Sequence, residues 1–294
     1  MFCGMTFYQI CCYFLVYSLI GWIVEVAYHA VTLGKVVNRG FLNGPLCPVY
    51  GFGMLAVLAI TWFIPKNDAG QTNTILLFLT GMIFTTMIEL IAGWILDKAF
   101  HARWWDYSDV PMNLNGYICV KFSIIWGLAV LFAVKFFHPI IEHFIAHFSD
   151  GTIHQKLGWT ILAVSYAILF ADVGITVAIV QGFNKELKKL DDLQKALRKP
   201  SDKMSEYIAE GTMKVTTSFE EAKVQAALGK AELKDSIKER KEQKLAELFT
   251  YKRWGTRRLL RAFPKMKHTK YAETLQEMKN YLQSQLKKRS NKPE

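Results

Sequence analysis

The sequence predicts an all-α integral membrane protein: about five transmembrane helices, the first four forming two helix-loop-helix repeats, then a helical cytoplasmic tail. Three observations carry this. Five apolar runs of about twenty residues, the length that crosses a ~30 Å hydrocarbon core, fill the front of the chain. Charge is divided unevenly: residues 183–294 hold 28 Lys+Arg and 16 Asp+Glu, whereas residues 1–182 hold 8 and 9. Two stretches dense in Gly, Asn and aromatic residues precede the second and fourth runs, where a plain solvent loop would not need them. The chain therefore divides into a transmembrane domain, 1–182, and a basic tail, 183–294.

The first run extends from about Phe7 to Val31 with Glu25 inside it. No basic segment or small-residue cleavage site accompanies it, so it is expected to remain as a membrane helix. Arg39 to Gly53 follows, with Asn43, Gly44, Pro45 and Pro48. Asn43 is expected to cap a helix whose first turn accepts proline. The second run, Cys47–Ile64, stops at Pro65, and the third, Thr74–Leu96, contains Glu89. An alternative leaves Arg39–Gly53 re-entrant. The aromatic loop Trp104–Ser108, with Asp106 and Tyr107, fits an interfacial belt or a substrate contact. The fourth run, Tyr117–Phe137, has Lys121 near its start.

His138, Glu142, His143, His147 and His154 cluster in the next loop. The pair His143 and His147 has ligand spacing, but His-Glu-x-x-His is absent. An amphipathic interfacial helix is the expectation there, with no metal. The fifth run, Leu157–Gln181, contains Asp172.

In the tail, Leu187, Leu190, Leu193 and Leu197 recur at helical spacing, and 218–249 reads as a helical, coiled-coil-like stretch. Lys252, Arg253, Trp254, Arg257, Arg258 and Arg261 form a basic-aromatic surface for anionic lipid or a protein partner. Tyr271, Leu275, Met278 and Leu282 mark one face of a last helix.

The positive-inside rule places the tail in the cytoplasm and, through five spans, the N-terminus outside. The loops with Arg39 and with Arg103 then face the cytoplasm. Both contain Asn-Gly-x-(Leu/Ile)-Cys, at Asn43-Gly44 and Asn115-Gly116, and eleven residues separate Phe14 from Glu25 and Phe78 from Glu89. These echoes indicate two copies of one helix-loop-helix unit.

Glu25 and Glu89 are the leading site candidates, because an ionisable residue within a span is costly. The competing reading is a structural ion pair with Arg39, Lys98 or Arg103. Helix starts near Asn43, Gly44, Asn115 and Gly116 add N–H groups that attract anions. The five cysteines do not suggest a disulfide framework: none has zinc-finger spacing, and an odd count argues against complete pairing. No phosphate-binding loop, protease or kinase signature occurs, so neither a cofactor, nor nucleic acid, nor enzymatic activity is expected.

The strings Gly21-Trp22 with Glu25, Arg39-Gly40-Phe41-Leu42-Asn43-Gly44-Pro45, Pro48-Val49-Tyr50-Gly51-Phe52-Gly53, Trp105-Asp106-Tyr107-Ser108 and Asn113 to Cys119 resemble the bacterial putative ABC-transporter type IV membrane family, the CmpB-like permeases. The resemblance spans roughly residues 5–182, and Ala262-Phe263-Pro264 in the tail is similar to tails of the same group. It implies a multi-pass, permease-like protein of the bacterial inner membrane; the residues themselves point to two similar hairpins around a polar cavity that opens to the cytoplasm. A separate ATPase subunit would supply energy, and five spans imply a homodimer or a hetero-complex in the lipid bilayer. A scaffold or lipid sensor acting through the tail is the alternative. A lipid-modifying enzyme ranks last, for want of a nucleophile.

Overall fold

A computed structural model describes residues 1–34, 36–66, 72–148, 153–211 and 254–290, with isolated positions 235, 236, 239, 243 and 246. The coiled-coil-like stretch 218–249 therefore lies almost wholly outside the described residues, as do Lys252 and Arg253.

Helix α1, Phe7–Leu33, begins in a capping box, in which Thr6 accepts from the Gln9 N–H and Gln9 accepts from the Thr6 N–H. It ends at Gly34 with φ +64°, the left-handed conformation that terminates helices. Helix α2, Pro48–Thr61, follows a non-helical lead-in. Helix α3, Thr74–Phe100, is capped by Asn73 and ended by His101 at φ +53°. Three two-residue strands follow: β1, Ala102–Arg103; β2, Asn113–Leu114; and β3, Ile118–Cys119, of which β2 and β3 pair as a hairpin.

Helix α4, Val120–Phe132, runs through a π-helical turn, Ala133–Phe137, into α5, His138–His147. The sequence placed a loop at His138. The helix instead absorbs Pro139: the missing N–H would orphan the Lys135 carbonyl, and the ladder slips so that His138 N–H donates to Ala133 O. His138 packs on Tyr13 and bonds the Tyr17 hydroxyl at 3.0 Å. Among the described residues no cluster of three metal-ligating side chains occurs. Among the described residues, helix α6, Ile153–Gly211, is the longest, and α7, Trp254–Ala262, strand β4, Lys267–His268, and α8, Ala272–Ser290, follow it.

The protein is all-α in its framework. Four helical stretches are long and apolar enough to cross a membrane: Phe7–Thr32, Thr74–Phe100, Val120–His147 and His154–Asp192. Their exposed side chains, among them Ile83, Ile91, Trp94, Leu128, Phe132 and Ile168, are what a lipid-facing surface requires. The second apolar run departs from expectation: α2 has 14 residues, about 21 Å of rise, short of a full span. Its start lies halfway along α1, where Cys47 N–H donates to Ser18 O at 2.9 Å. The chain ahead of α2 is non-helical, with Gly40, Leu42 and Cys47 buried and Val36 and Pro45 exposed.

Two compact units emerge. The first comprises Met1–Ile179 with Arg258–Thr269, and the second Val180–Arg257 with Lys270–Glu294. The basic segment Arg258–Thr269, expected with the tail, thus belongs to the helical bundle. In the second unit Val180, Phe183, Leu187 and Leu190 on α6, and Leu275, Met278 and Leu282 on α8, are buried. Gln194 donates to Glu277 at 3.4 Å.

In the first unit, α1 pairs with α2, α2 with α3 and α3 with α4. The two hairpins close alike. A Cβ on Gly51 of α2 would meet Phe14 and Ser18, and a Cβ on Gly127 of α4 would meet Phe78 and Met82. Phe14 and Ser18 precede Glu25 by the same eleven and seven residues by which Phe78 and Met82 precede Glu89.

Candidate functional site

The loop after α1 turns back into the bundle because Asn38 holds it. The Asn38 side chain accepts from Trp22 Nε1 at 2.8 Å and from Gly40 N–H at 3.0 Å, and donates to Asn43 O at 2.7 Å. Deeper in, Asp172 of α6 accepts from the N–H groups of Asn43, at 3.1 Å, and Gly44, at 2.7 Å. It also accepts from Asn43 Nδ2 at 2.9 Å and from the Thr176 hydroxyl at 3.3 Å. Asn43 does not cap α2, which starts at Pro48 behind Cys47. The loop's N–H groups do gather an anion, but it is the protein's own carboxylate.

Glu25 lies beyond this loop on α1. Its Oε1 accepts from the Tyr50 hydroxyl at 2.7 Å, while Oε2 faces His29 Nδ1 at 3.7 Å and Arg39 Nε at 4.0 Å. Arg39 Nε is buried without a hydrogen-bond partner. Burial pushes the Arg39 guanidinium below its ordinary value, and Glu25 opposes that shift. Glu89 on α3 is buried, with Oε1 accepting from Tyr107 at 3.0 Å and Oε2 from Trp126 Nε1 at 3.1 Å. Burial, then Glu89, raises the Tyr107 hydroxyl well above its ordinary value, so it remains a donor. The rings of Tyr50 and Trp126 meet edge-on at 5.4 Å. A continuous series therefore runs from Glu25 through Tyr50 and Trp126 to Glu89, one glutamate from each hairpin.

The second loop is organised outside Glu89. Asp97 accepts from Arg103 Nε at 3.2 Å and from the Tyr117 hydroxyl at 2.6 Å. Arg103 also donates to Asn115 O at 2.9 Å and lies over the Tyr117 ring. Asn115 and Gly116 occupy left-handed turn positions, φ +50° and +73°. A Cβ at Gly116 would strike Asp106 Oδ1, so only glycine lets the loop close. Asn115 is no helix cap either; α4 starts behind Cys119.

The segment Arg258–Thr269 clasps both loops. Arg258 donates to Gly40 O and to Phe41 O, each at 2.9 Å. Arg39 donates to Ala262 O at 2.5 Å and lies over the Phe263 ring. Trp104 packs edge-on against both Phe41 and Phe263. Strand β4 pairs antiparallel with β1, Ala102 opposite His268, and Thr269 N–H donates to His101 O. Lys267 pairs with Asp106 at 2.5 Å. Burial raises the Asp106 carboxyl, but Lys267 and Ser108 outweigh it and hold it below the usual range. Of the expected lipid or partner surface, Arg258 is thus occupied internally, Arg257 is half-buried and Arg261 is exposed.

Arg258→Ala should open this clasp. Each hydrogen bond from a charged donor is worth about 1.5–3 kcal/mol, and losing about 2 kcal/mol shifts an opening equilibrium roughly thirtyfold. Hydrogen exchange at the Thr269 and Lys267 amides should accelerate accordingly. Unchanged exchange would show that Arg258 does not hold the segment.

Trp126 and Asn38 had no sequence signal pointing to them, whereas Tyr50 stands in the string Pro48–Gly53 and Asp172 is an acid within the fifth run. The pairing of Arg39 with a segment more than two hundred residues away leaves no local trace.

Comparison with known proteins gives one family. The family model described as "Putative ABC-transporter type IV" matches residues 12–177, more than half of the chain. No curated protein and no solved structure matches.

Proposed function

The chain belongs to the family described as "Putative ABC-transporter type IV", and from that premise we propose that it is a permease-like component of a membrane transport system. The observation that carries the reading is the meeting of Glu25 and Glu89, one from each of two similarly closed hairpins, through the Tyr50–Trp126 contact. Transporters built from repeats bind their cargo at such an interface, on broken helices and irregular backbone lining a cavity. Here the irregular backbone is the lead-in to α2 and the loop carrying Tyr107. The polar centre opens to the face that bears both loops, which the basic balance of the tail assigns to the cytoplasm of a bacterial inner membrane. Arg39, Asn43, Gly44, Asp106, Tyr107, Asn115 and Gly116 shape its walls.

The chain has no nucleotide-binding loop, so an ATPase subunit would be a separate chain, and a second copy or another subunit would complete the pathway. The clasp lies at the same end of the bundle as the loops, where such a subunit would couple to them. Of the basic surface that the scaffold reading would use, Arg258 is already engaged by the bundle, while Arg261 is exposed.

The test is gentle purification of the full chain from its native membrane, with identification of co-purifying subunits. An ATPase is expected, and Glu25→Gln should lower its turnover in the complex at least tenfold while the complex stays assembled. Recovery of envelope or division proteins with no ATPase would sink the transport reading.

A further inference from the structure

The two glutamates are chemically unequal. The polar network of the first unit contains five buried or half-buried carboxylates, and four have cationic or multiple N–H compensation. Glu25 faces Arg39 at 4.0 Å, Asp97 faces Arg103 at 3.2 Å and Asp106 faces Lys267 at 2.5 Å. Asp172 is enclosed by three N–H donors and a hydroxyl, and feels the Arg258 guanidinium. Glu89 differs. It is 9 % exposed, and its two donors, Tyr107 and Trp126, are neutral. Among the described residues no Lys, Arg or His nitrogen lies within 4.0 Å of it.

The groups turned toward Glu89 come from every neighbouring element. Loop 101–119 contributes Tyr107, α4 Trp126 and α2 Tyr50, whose hydroxyl is spent on Glu25; α1 contributes Glu25 itself, a like charge. Arg39 is committed to Glu25, Ala262 and Phe263. A carboxylate removed from water in a membrane bundle is costly unless a positive charge accompanies it. Hydrogen bonds from two neutral donors orient the group without cancelling its charge.

We propose that Glu89 is where this chain takes up one positive charge: a proton, or the ammonium group of an organic cargo. The two neutral donors fix the carboxylate, and Arg39 keeps Glu25 out of competition. Uptake involves no covalent step beyond O–H formation when the charge is a proton. The idea deepens the transport reading and rests on it for the part this charge plays in a cycle; the charge itself is measurable without flux.

The experiment uses the full chain in lipid nanodiscs at neutral pH, followed by infrared spectroscopy with carbon-13-labelled glutamate. A proton at Glu89 gives a carbonyl stretch of a protonated glutamic acid. That band should persist in Glu25→Gln, vanish in Glu89→Gln and shift in Tyr107→Phe. If Glu89→Gln does not fold, the isotope-shifted band in the wild type and its response to Tyr107→Phe still decide the matter. Ammonium uptake gives no band, but ethylammonium chloride should raise the unfolding temperature above sodium chloride at equal ionic strength, and Tyr107→Phe should weaken that rise. Absence of both the band and the ammonium effect would overturn the proposal. A chain that holds the charge yet co-purifies with no ATPase would sink the transport reading alone.

Discussion

Asp172→Ala is expected to destabilise the bundle by about 2–4 kcal/mol, because the acceptor shared by the half-buried Asn43 and Gly44 N–H groups is removed. Asp172 accepts from the Asn43 and Gly44 N–H groups, from Asn43 Nδ2 and from Thr176. Thr176 is fully buried, and Asn43 Nδ2 also donates to its hydroxyl at 2.9 Å. Water has little access to repair the loss. Asp172→Asn should recover only part of the stability: one amide oxygen still accepts, but the NH₂ group confronts a donor. Thermal unfolding in detergent, read for the wild type and both variants, checks the order. Equal midpoints for all three would mean that Asp172 does not hold the loop.

The second large effect is expected at the helix crossings. A Cβ at Gly51 would lie 2.4 Å from Ser18 Oγ and 2.7 Å from the backbone oxygen of Phe14. The backbone oxygen cannot yield without moving α1. Gly51→Ala should therefore cost about 3 kcal/mol, the upper end of overpacking penalties. At Gly127 the nearest atoms are Phe78 ring carbons, at 2.7 and 2.9 Å, and a ring can rotate or slide. Gly127→Ala should cost about 1–2 kcal/mol. Gly174 on α6, where an added Cβ would meet nothing within 4 Å, supplies the control; there alanine should be neutral or stabilise by up to about 1 kcal/mol. Loss of folded yield at Gly51 but not at Gly174 is the expected pattern. Equal tolerance at Gly51, Gly127 and Gly174 would contradict close packing of the hairpins.

Much of this architecture is legible in the residues. Apolar length and charge asymmetry reveal a membrane bundle, and the spacing from Phe14 to Glu25 and from Phe78 to Glu89 reveals two related hairpins. The short α2 is not legible, because an apolar run reports burial and not backbone conformation. Cys47–Ile64 is apolar throughout, yet helical geometry begins at Pro48 only once Asn38 and Asp172 have turned the preceding loop inward. The loop expected around His138 is helix instead: the ladder passes Pro139 by a π turn over Ala133–Phe137 rather than ending. The inequality of Glu25 and Glu89 is also invisible locally. It depends on Arg39 reaching one carboxylate and on no cation reaching the other.

The clasp also orders events during synthesis. Arg258 bonds carbonyls 217 and 218 positions earlier in the chain. At about 5–20 residues per second, a ribosome needs roughly 10–45 s to cover that interval. The first hairpin therefore enters the bilayer with the Gly40 and Phe41 carbonyls unclaimed and Arg39 without Ala262. A chain that ends before Arg258 carries the four long apolar helices found among the described residues, but its two loops lack the segment that closes over them.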